Sequence, residues 1–187
     1  MIAALLLALL AQDLLRVERA GTTVEGDVRV EFAGPIADVD GTGVLLVATD
    51  GVTLDLAGSE LSGNADGREP DGFAGVGILV RAKGVTLRNA RVSGFRVGIL
   101  AHGADGLVLE DCDVSGNFRQ RLLSTPEAEN GADWLWPHQN DDRQWRTNYG
   151  AGICIESSSD VTVRRCRARD GQNALILDRV TGSRVYD

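Results

Sequence analysis

Large aromatic side chains are scarce: Trp, Tyr and Phe together make up only 5% of the 187 residues. This shortage argues against a globular α/β core built on large side chains. Glycine is abundant instead, with 23 residues. Many glycines with few aromatics favour an all-β fold that has many tight turns and small or branched side chains inside.

Positive charge is also in short supply, since 19 Lys and Arg face 27 Asp and Glu and the net charge is −8. No Lys/Arg stripe is present. Nucleic-acid binding is therefore not expected, because neutralising phosphates supplies most of that affinity. An anionic membrane surface is disfavoured for the same reason. An anionic polysaccharide partner would require local Arg clusters or a bridging cation such as Ca²⁺.

The one long apolar run, at residues 2–11, is too short to span a bilayer, so no transmembrane segment is predicted. Its length and position fit the apolar region of a signal peptide cleaved near Ala11 or Gln12, although no Lys or Arg precedes it. The sequence predicts a signal peptide at 1–12 and a secreted, periplasmic or cell-surface protein. The alternative is a short apolar helix that caps the core.

A repeat of about 22 residues runs through the chain. The segment GVTL at 84–87 recurs as GLVL at 106–109, and VSG at 92–94 recurs at 114–116. A similar unit, DVTV, begins at Asp160. Within each unit the strands are short and alternate apolar with polar residues, so one unit cannot bury its apolar face alone. Units that stack about 4.8 Å apart pair their backbones and continue one core.

The fold class predicted from this repeat is all-β: a single-domain right-handed parallel β-helix over residues 13–187. Longer spacings between repeats place side insertions at about 64–74 and 117–148. Residues 13–31 are expected to hold an N-terminal cap and a first strand. A leucine-rich repeat and a calcium-binding nonapeptide repeat are excluded because their motifs are missing. Three inward ladders are predicted: Ile78, Ile99 and Ile153; Leu87, Leu109 and Val163; Val92, Val114 and Ala168.

The three cysteines show no metal-binding spacing. Cys112 and Cys166 occupy the slot that Ala90 fills in its own unit, which should face inward. They are interpreted as neighbouring buried thiols that pack as small apolar residues, with a disulfide between them left open. Cys154 is expected to face outward.

The predicted insertion at 117–148 holds all three Trp residues, which is the sharpest functional indication in this aromatic-poor chain. It predicts a carbohydrate-binding loop, because sugar rings stack on aromatic faces while polar side chains bind hydroxyl groups. The alternative is that the Trp rings pack as a small core of their own. The candidate substrate-binding residues are Trp134, Trp136, Trp145, Arg146 and Tyr149. The weaker catalytic candidates, as a carboxylate pair or as base and cation, are Asp133, His138, Asp141, Asp142 and Arg143.

Two further features are weaker. The polar loop near 64–72 offers Asp66, Glu69 and Asp71 as candidate Ca²⁺ ligands, but without the spacing of an EF-hand. His102 follows a strand at a turn and is interpreted as a surface polar residue.

The repeat pattern Gly-Ile-x-Val, Gly-Val-Thr-Leu-x-Asn and Val-Ser-Gly resembles that of the pectate-lyase-like superfamily, the right-handed β-helix region proteins. The opening unit, at 51–63, is similar to the first coil of periplasmic copper-processing proteins of that group. The resemblance implies the β-helix fold over about 43–187. It implies no single activity, since the superfamily includes lyases, hydrolases, epimerases, esterases and adhesins.

The catalytic signatures of that superfamily match this chain poorly. Asp141 and Asp142 only superficially match the Asp pair of galacturonases. Trp136-Pro137-His138 lacks the acid of the Asp-Pro-His signature in alginate epimerases. No family catalytic residue is therefore carried over to this sequence.

These observations predict a secreted β-helix protein that binds or acts on a polysaccharide through the Trp-rich loop. The alternatives are a non-catalytic surface or periplasmic module that binds protein or glycan, and a purely structural repeat. The last unit stops at Asp187 without a polar cap, so the natural protein is expected to continue beyond it.

Overall fold

The computed structural model describes residues 13–57, 59–134, 142 and 144–187. Strands dominate this part of the chain, and the only α-helix in it, α1, spans Trp145–Tyr149. The strands are β1 (Asp13–Val17), β2 (Thr22–Val24), β3 (Val28–Phe32), β4 (Leu45–Val47), β5 (Thr53–Asp55), β6 (Glu60–Ser62), β7 (Val76–Val80), β8 (Thr86–Arg88), β9 (Arg91–Ser93), β10 (Val97–His102), β11 (Val108–Glu110), β12 (Ala151–Glu156), β13 (Thr162–Arg164), β14 (Leu175–Asp178) and β15 (Arg184–Tyr186).

The strands form three parallel sheets that run along the sides of a solenoid. Sheet A has the order β1-β3-β5-β8-β11-β13-β15, sheet B the order β14-β12-β10-β7-β4-β2, and sheet C pairs β6 with β9. A central coil passes from sheet A through sheet C to sheet B and then returns to sheet A one level higher. Every strand pairs in parallel with strands of neighbouring coils, which confirms the parallel β-helix predicted from the repeat.

The core is built from ladders of like residues, as predicted. Ile99 lies in register with Ile78 and Ile153, and Leu109 with Leu87 and Val163. These side chains are almost completely buried. The third ladder is also confirmed, since Val92, Val114 and Ala168 all pack into the same core cluster. In-register stacking therefore places apolar on apolar along the whole solenoid.

A left-handed residue makes the sharp corner between sheets A and C in successive coils. Asn89, Asp111 and Arg165 have φ values of 56°, 54° and 49°. Asn and Asp tolerate this region better than other non-glycine residues, whereas Arg165 is strained there. The corner turns the chain so that the next residue again points inward, and this is the slot of Ala90, Cys112 and Cys166.

The N-terminal part of the described chain differs from the expectation of a cap and one strand. Residues 13–31 already supply strands to two sheets, because β1 pairs with β3 and β2 pairs with β4. The stack thus begins before the first recognisable repeat, whose glycine-led motif these early strands lack. The predicted signal peptide, residues 1–12, lies outside the described residues.

Two long connections leave the coil between sheet C and sheet B. The first, at 63–75, contains a 3₁₀ turn at Pro70–Gly72. The second, at 115–150, contains a 3₁₀ turn at Gly131–Asp133 and ends with α1. It is called the side loop below. No helix in the described ranges is both long and apolar enough to cross a membrane.

Sheet B carries a second apolar layer on its outer face. Leu79 and Leu100 form a row there that Cys154 continues, and all three are buried. Cys154 points away from the core as predicted, and it is nevertheless completely buried, because it packs into this outer layer. The outer cluster consists of Val76, Leu79, Val97, Leu100, Ala151 and Cys154, with Leu46 and Ile176 at its margins.

Candidate functional site

The side loop leaves the solenoid at a buried asparagine. The Oδ1 atom of Asn117 accepts a hydrogen bond from the Phe95 backbone at 3.1 Å. Its Nδ2 atom donates to the carbonyl oxygens of Val92 and Val114 at 2.9 and 2.8 Å. Since Asn117 is only 1% exposed, this amide satisfies three backbone groups that would otherwise be buried without partners. The exit point of the loop is therefore fixed to two coils.

Arg96 joins the two ends of the side loop. Its guanidinium lies 3.9 Å from the ring centroid of Phe118, at the start of the loop. The Nη1 atom donates to the carbonyl oxygens of Thr147 and Asn148, at the end of the loop, at 3.0 and 3.3 Å. Burial lowers the pKa of Arg96 from its ordinary value, but an arginine remains charged at any physiological pH. These contacts of Arg96, called the Arg96 clamp below, hold α1 against the start of β10.

Helix α1 brings a cation to a carboxylate on sheet B. The Nε atom of Arg146 donates to Oε1 of Glu156 at 2.8 Å, and Nδ1 of His102 lies 3.3 Å from Oε2 of the same carboxylate. The Glu156 side chain is 16% exposed, whereas that of His102 is 54% exposed. This group, together with Asp178, is called the Glu156 cluster below. It is where the side loop meets the polar end of sheet B.

The register of sheet B explains this cluster. His102, Glu156 and Asp178 are Cα partners in three successive coils, at the carboxyl ends of β10, β12 and β14. In-register strands lie about 4.8 Å apart, so the three side chains form one outward polar row. Asp178 also contacts Arg179 at 3.3 Å. Each carboxylate in the row thus has an arginine partner.

Cys154 lies beneath the cluster and is not a nucleophile. Its sulfur lies 3.7 Å from Oε1 of Glu156. Burial, with a further contribution from the negative charge of Glu156, raises the pKa of Cys154 to about 12. A thiol with this pKa stays protonated at neutral pH. Cys154 therefore acts as a packing residue that also donates a weak hydrogen bond.

Two tryptophans of the predicted binding loop expose a large part of their side chains. Trp134 is 50% exposed and Trp145 is 46% exposed. The indole N–H of Trp134 donates to Glu129 within the loop. The Trp145 ring lies 5.7 Å from the ring of Tyr149 with a tilt of 42°. Tyr149 itself is buried, so it supports Trp145 and offers little ring surface of its own.

Asp133, a predicted catalytic acid, is used to hold the side loop together. Its carboxylate accepts hydrogen bonds from the backbone N–H groups of Leu123 and Ser124, the latter at 2.6 Å. Hydrogen bonds from the Ser124 hydroxyl and the Leu123 backbone lower the pKa of Asp133. A carboxylate held ionised in this way is a poor proton donor, which favours a structural role.

The other predicted site residues divide into those that the structure describes and those that it does not. Asp142 is exposed. In the Ca²⁺ candidate loop, Asp66 pairs with Arg68 at 2.9 Å. In the described ranges no three His, Cys, Asp or Glu residues are grouped closely enough to hold a metal ion. Trp136, His138, Asp141 and Arg143 lie outside the described residues.

Sequence reasoning missed Glu156 and Asp178 as site residues. A usable indication was present: His102 and Glu156 each stand four residues after the glycine of a Gly-Ile motif, at 98 and 152. Aligning the repeats on these glycines places both side chains in one row. Arg96 carried no comparable indication, because its hydrogen-bond acceptors are backbone atoms more than 50 residues away.

The outer surface of sheet A has a different character. Its main row alternates in charge, with Asp55, Arg88, Glu110 and Arg164 in register. An open groove of about 420 Å³ lies at the corner between sheets A and C. The lining residues include Arg91, Asp113, Arg165 and Arg167. Many of the charged side chains on this face pair with one another, as Arg88 does with Asp55 and Arg165 with Asp111.

The comparison with known families agrees with this architecture. The family model "Right handed beta helix region" matches residues 35–177. The chain belongs to this family. The matched range of this right-handed beta helix extends from the segment before β4 into β14, and it includes the side loop and Glu156. The family description names a fold and no activity, so function must be argued from the Glu156 cluster and its surroundings. No curated protein and no solved structure matches the chain.

Proposed function

We propose that this right-handed beta helix is an exported polysaccharide-binding module whose binding surface joins Trp145 to the Glu156 cluster. The observation that carries the proposal is that Trp145 and Arg146 are consecutive residues of α1. Trp145 exposes 46% of its side chain, while Arg146 bonds the Glu156 carboxylate directly. The exposed indole and the arginine that binds Glu156 are therefore consecutive residues at the start of α1.

This combination suits a sugar ring. The apolar face of a pyranose stacks on an indole, which loses little conformational freedom when it is held by Tyr149. Hydroxyl groups at the ring edge need donors and acceptors in fixed positions, and Glu156, His102 and Asp178 provide both. Export would bring the module to extracellular polysaccharides, which agrees with the predicted signal peptide.

Binding without catalysis is favoured over catalysis. A glycosidase requires one carboxyl group that can give a proton to the leaving oxygen. The carboxylates of Glu156 and Asp178 are already occupied by Arg146 and Arg179. Hydrogen bonds within the side loop lower the pKa of Asp133, which makes it a poor proton donor.

A catalytic function remains the second candidate because of one observation. Glu156 and Asp178 are in-register neighbours on adjacent coils, about 4.8 Å apart at Cα. Two carboxylates at this spacing are compatible with the separation in a retaining glycosidase. This candidate predicts new reducing ends during incubation with the right polysaccharide.

The test is a binding assay with a panel of neutral and acidic polysaccharides, with and without Ca²⁺, combined with detection of reducing ends and unsaturated uronates. Trp145→Ala should weaken binding of whichever polysaccharide the wild type binds by at least about tenfold, or about 1.4 kcal/mol. Trp134→Ala is the matched control, because Trp134 is similarly exposed but its indole N–H is bonded to Glu129.

Each outcome is informative. Selective loss of binding in Trp145→Ala, with unchanged melting temperature, supports the proposal. Equal binding by wild type and Trp145→Ala, or no binding to any polysaccharide, overturns it. Reducing ends that disappear in Glu156→Gln would replace it with the hydrolase, whereas unsaturated uronates would indicate a lyase.

A further inference from the structure

Cys112 and Cys166 occupy identical positions in adjacent coils. The sulfur of Cys112 lies 3.3 Å from the Glu110 carbonyl oxygen and 3.7 Å from that of Leu87. The sulfur of Cys166 makes the same two contacts one coil further on, at 3.3 Å to Arg164 and 3.7 Å to Leu109. The two thiols thus stack directly on each other, and both are free.

The backbone around them has the spacing of a disulfide. Asp113 and Arg167, the residues that follow the two cysteines, form a parallel bridge. The Arg167 N–H also donates to the Cys112 carbonyl oxygen at 2.7 Å. In-register coils place the two Cα atoms about 4.8 Å apart, which lies within the range of about 4.4–6.8 Å found for disulfides. The Cβ atoms of in-register coils lie slightly further apart than the about 3.8 Å typical of a disulfide, so the two coils must draw together by about 1 Å to close the bond.

The two thiols differ in access and in ionisation. Cys112 is 1% exposed, whereas Cys166 is less completely buried. The hydrogen bond with Cys112 lowers the pKa of Cys166 to about 7. The same hydrogen bond, together with burial, raises the pKa of Cys112. The pair therefore has one thiol that ionises near neutral pH and a buried partner thiol that supports it.

We propose that Cys112 and Cys166 are a modification site at which a low-molecular-weight disulfide such as oxidised glutathione introduces a cross-coil disulfide. The Cys166 thiolate attacks one sulfur of glutathione disulfide and releases a glutathione thiolate. Cys112 then attacks the Cys166 sulfur of the mixed disulfide, and a second glutathione leaves with the proton of Cys112. Two protein thiols are oxidised and one glutathione disulfide is reduced to two glutathiones.

The bond would enclose the whole side loop. Residues 113–165 lie between the two cysteines, and they contain the side loop, α1 and Glu156. A cross-link that closes a long segment stabilises mainly by restricting the unfolded chain. The solenoid would thereby be fastened at the level from which its largest insertion departs. An oxidising extracellular location would favour the bonded form.

The test uses the full chain, reduced, freed of reductant and incubated folded with oxidised glutathione between about pH 6 and pH 8. The expected product has lost two hydrogen atoms, and its peptide map joins Cys112 to Cys166. Its rate of formation should rise with pH through about 7, the pKa of Cys166. Its melting temperature should exceed that of the reduced chain by several degrees.

Three alanine variants separate the steps, and alanine fits because Ala90 fills the same slot in the preceding coil. Cys112→Ala should stop at a glutathione adduct on Cys166. Cys166→Ala should react much more slowly at Cys112. Cys154→Ala is the matched control and should behave as wild type. A folded wild-type chain that forms no Cys112–Cys166 bond overturns the proposal. So does a wild-type chain that reacts first at Cys154, or a Cys166→Ala variant in which Cys112 reacts as fast as Cys166 does in the wild type.

Discussion

Sheets A and B present two different outer faces, although both are built from the same coils. The outer row of sheet A alternates Asp55, Arg88, Glu110 and Arg164, with side chains that are partly open to solvent. The equivalent row of sheet B is apolar and runs from Leu46 through Leu79, Leu100 and Cys154 to Ile176. Its central members are buried.

The difference between the two outer faces follows from whether each face is covered by other parts of the chain or exposed to water. A strand that faces water outside needs polar residues there, whereas a strand covered by other chain carries apolar residues on both faces. The buried outer row of sheet B therefore marks a covered side. That is also the side where Arg96 fastens the side loop and where the Glu156 cluster lies. The predictions below test this contrast.

The largest expected effect is at Leu100 of the outer apolar row. Leu100→Asp buries an unpaired charge and should lower the free energy of unfolding by about 3 kcal/mol or more, measured by urea denaturation. The matched control is Val108→Asp, which places the same charge on the half-buried outer face of sheet A. We expect the control to cost less than about 1 kcal/mol. Equal losses would show that the two faces are not different in kind.

A smaller loss of stability is expected when the Arg96 clamp is removed. Arg96→Ala removes two hydrogen bonds to α1 and the contact with Phe118, and should cost about 2 kcal/mol. It should also speed proteolytic cleavage within the side loop. Arg88→Ala, which breaks a surface ion pair of 3.0 Å on sheet A, should cost about 0.5 kcal/mol and leave proteolysis unchanged. Unchanged cleavage in Arg96→Ala would contradict the assigned role of Arg96.

The smallest effect concerns the charged row of sheet A and its pH dependence. Hydrogen bonds from Arg164 and then Arg165 lower the pKa of Glu110. A lowered folded-state pKa gives stability that is present above the ordinary value of about 4.3 and is lost as the pH falls through the folded value. The melting temperature should therefore fall below about pH 4, and slightly less steeply in Glu110→Gln. Identical slopes would mean that solvent screens these pairs completely.

Much of the fold was predictable from the repeat. The 22-residue period identified the coil, and it correctly paired Ile78 with Ile99 and Cys112 with Cys166, because like residues stack in register. The early strands β1 to β3 were missed as a stack, since they lack the glycine-led motif and their pairing depends on the coils above them.

The candidate site was only partly predictable. The concentration of Trp residues indicated the side loop, and the structure describes Trp134 and Trp145 as exposed. The sequence pattern did not reveal that Asp133 accepts hydrogen bonds from the backbone of the side loop, or that Arg146 binds Glu156 on sheet B. Such contacts join an irregular insertion to a regular scaffold. Their geometry follows from the path of the loop and not from any local pattern of residues.

The sequence by itself determined the coil, its inward ladders and the places where the chain leaves the coil, because a periodic apolar pattern has only one way to bury itself by stacking. The tertiary structure alone decided which outer face is covered, how Arg96 and Asn117 fasten the side loop, and that Arg146 of this loop reaches Glu156. Those outcomes depend on packing and hydrogen bonds between segments far apart in the chain, and no local propensity encodes them.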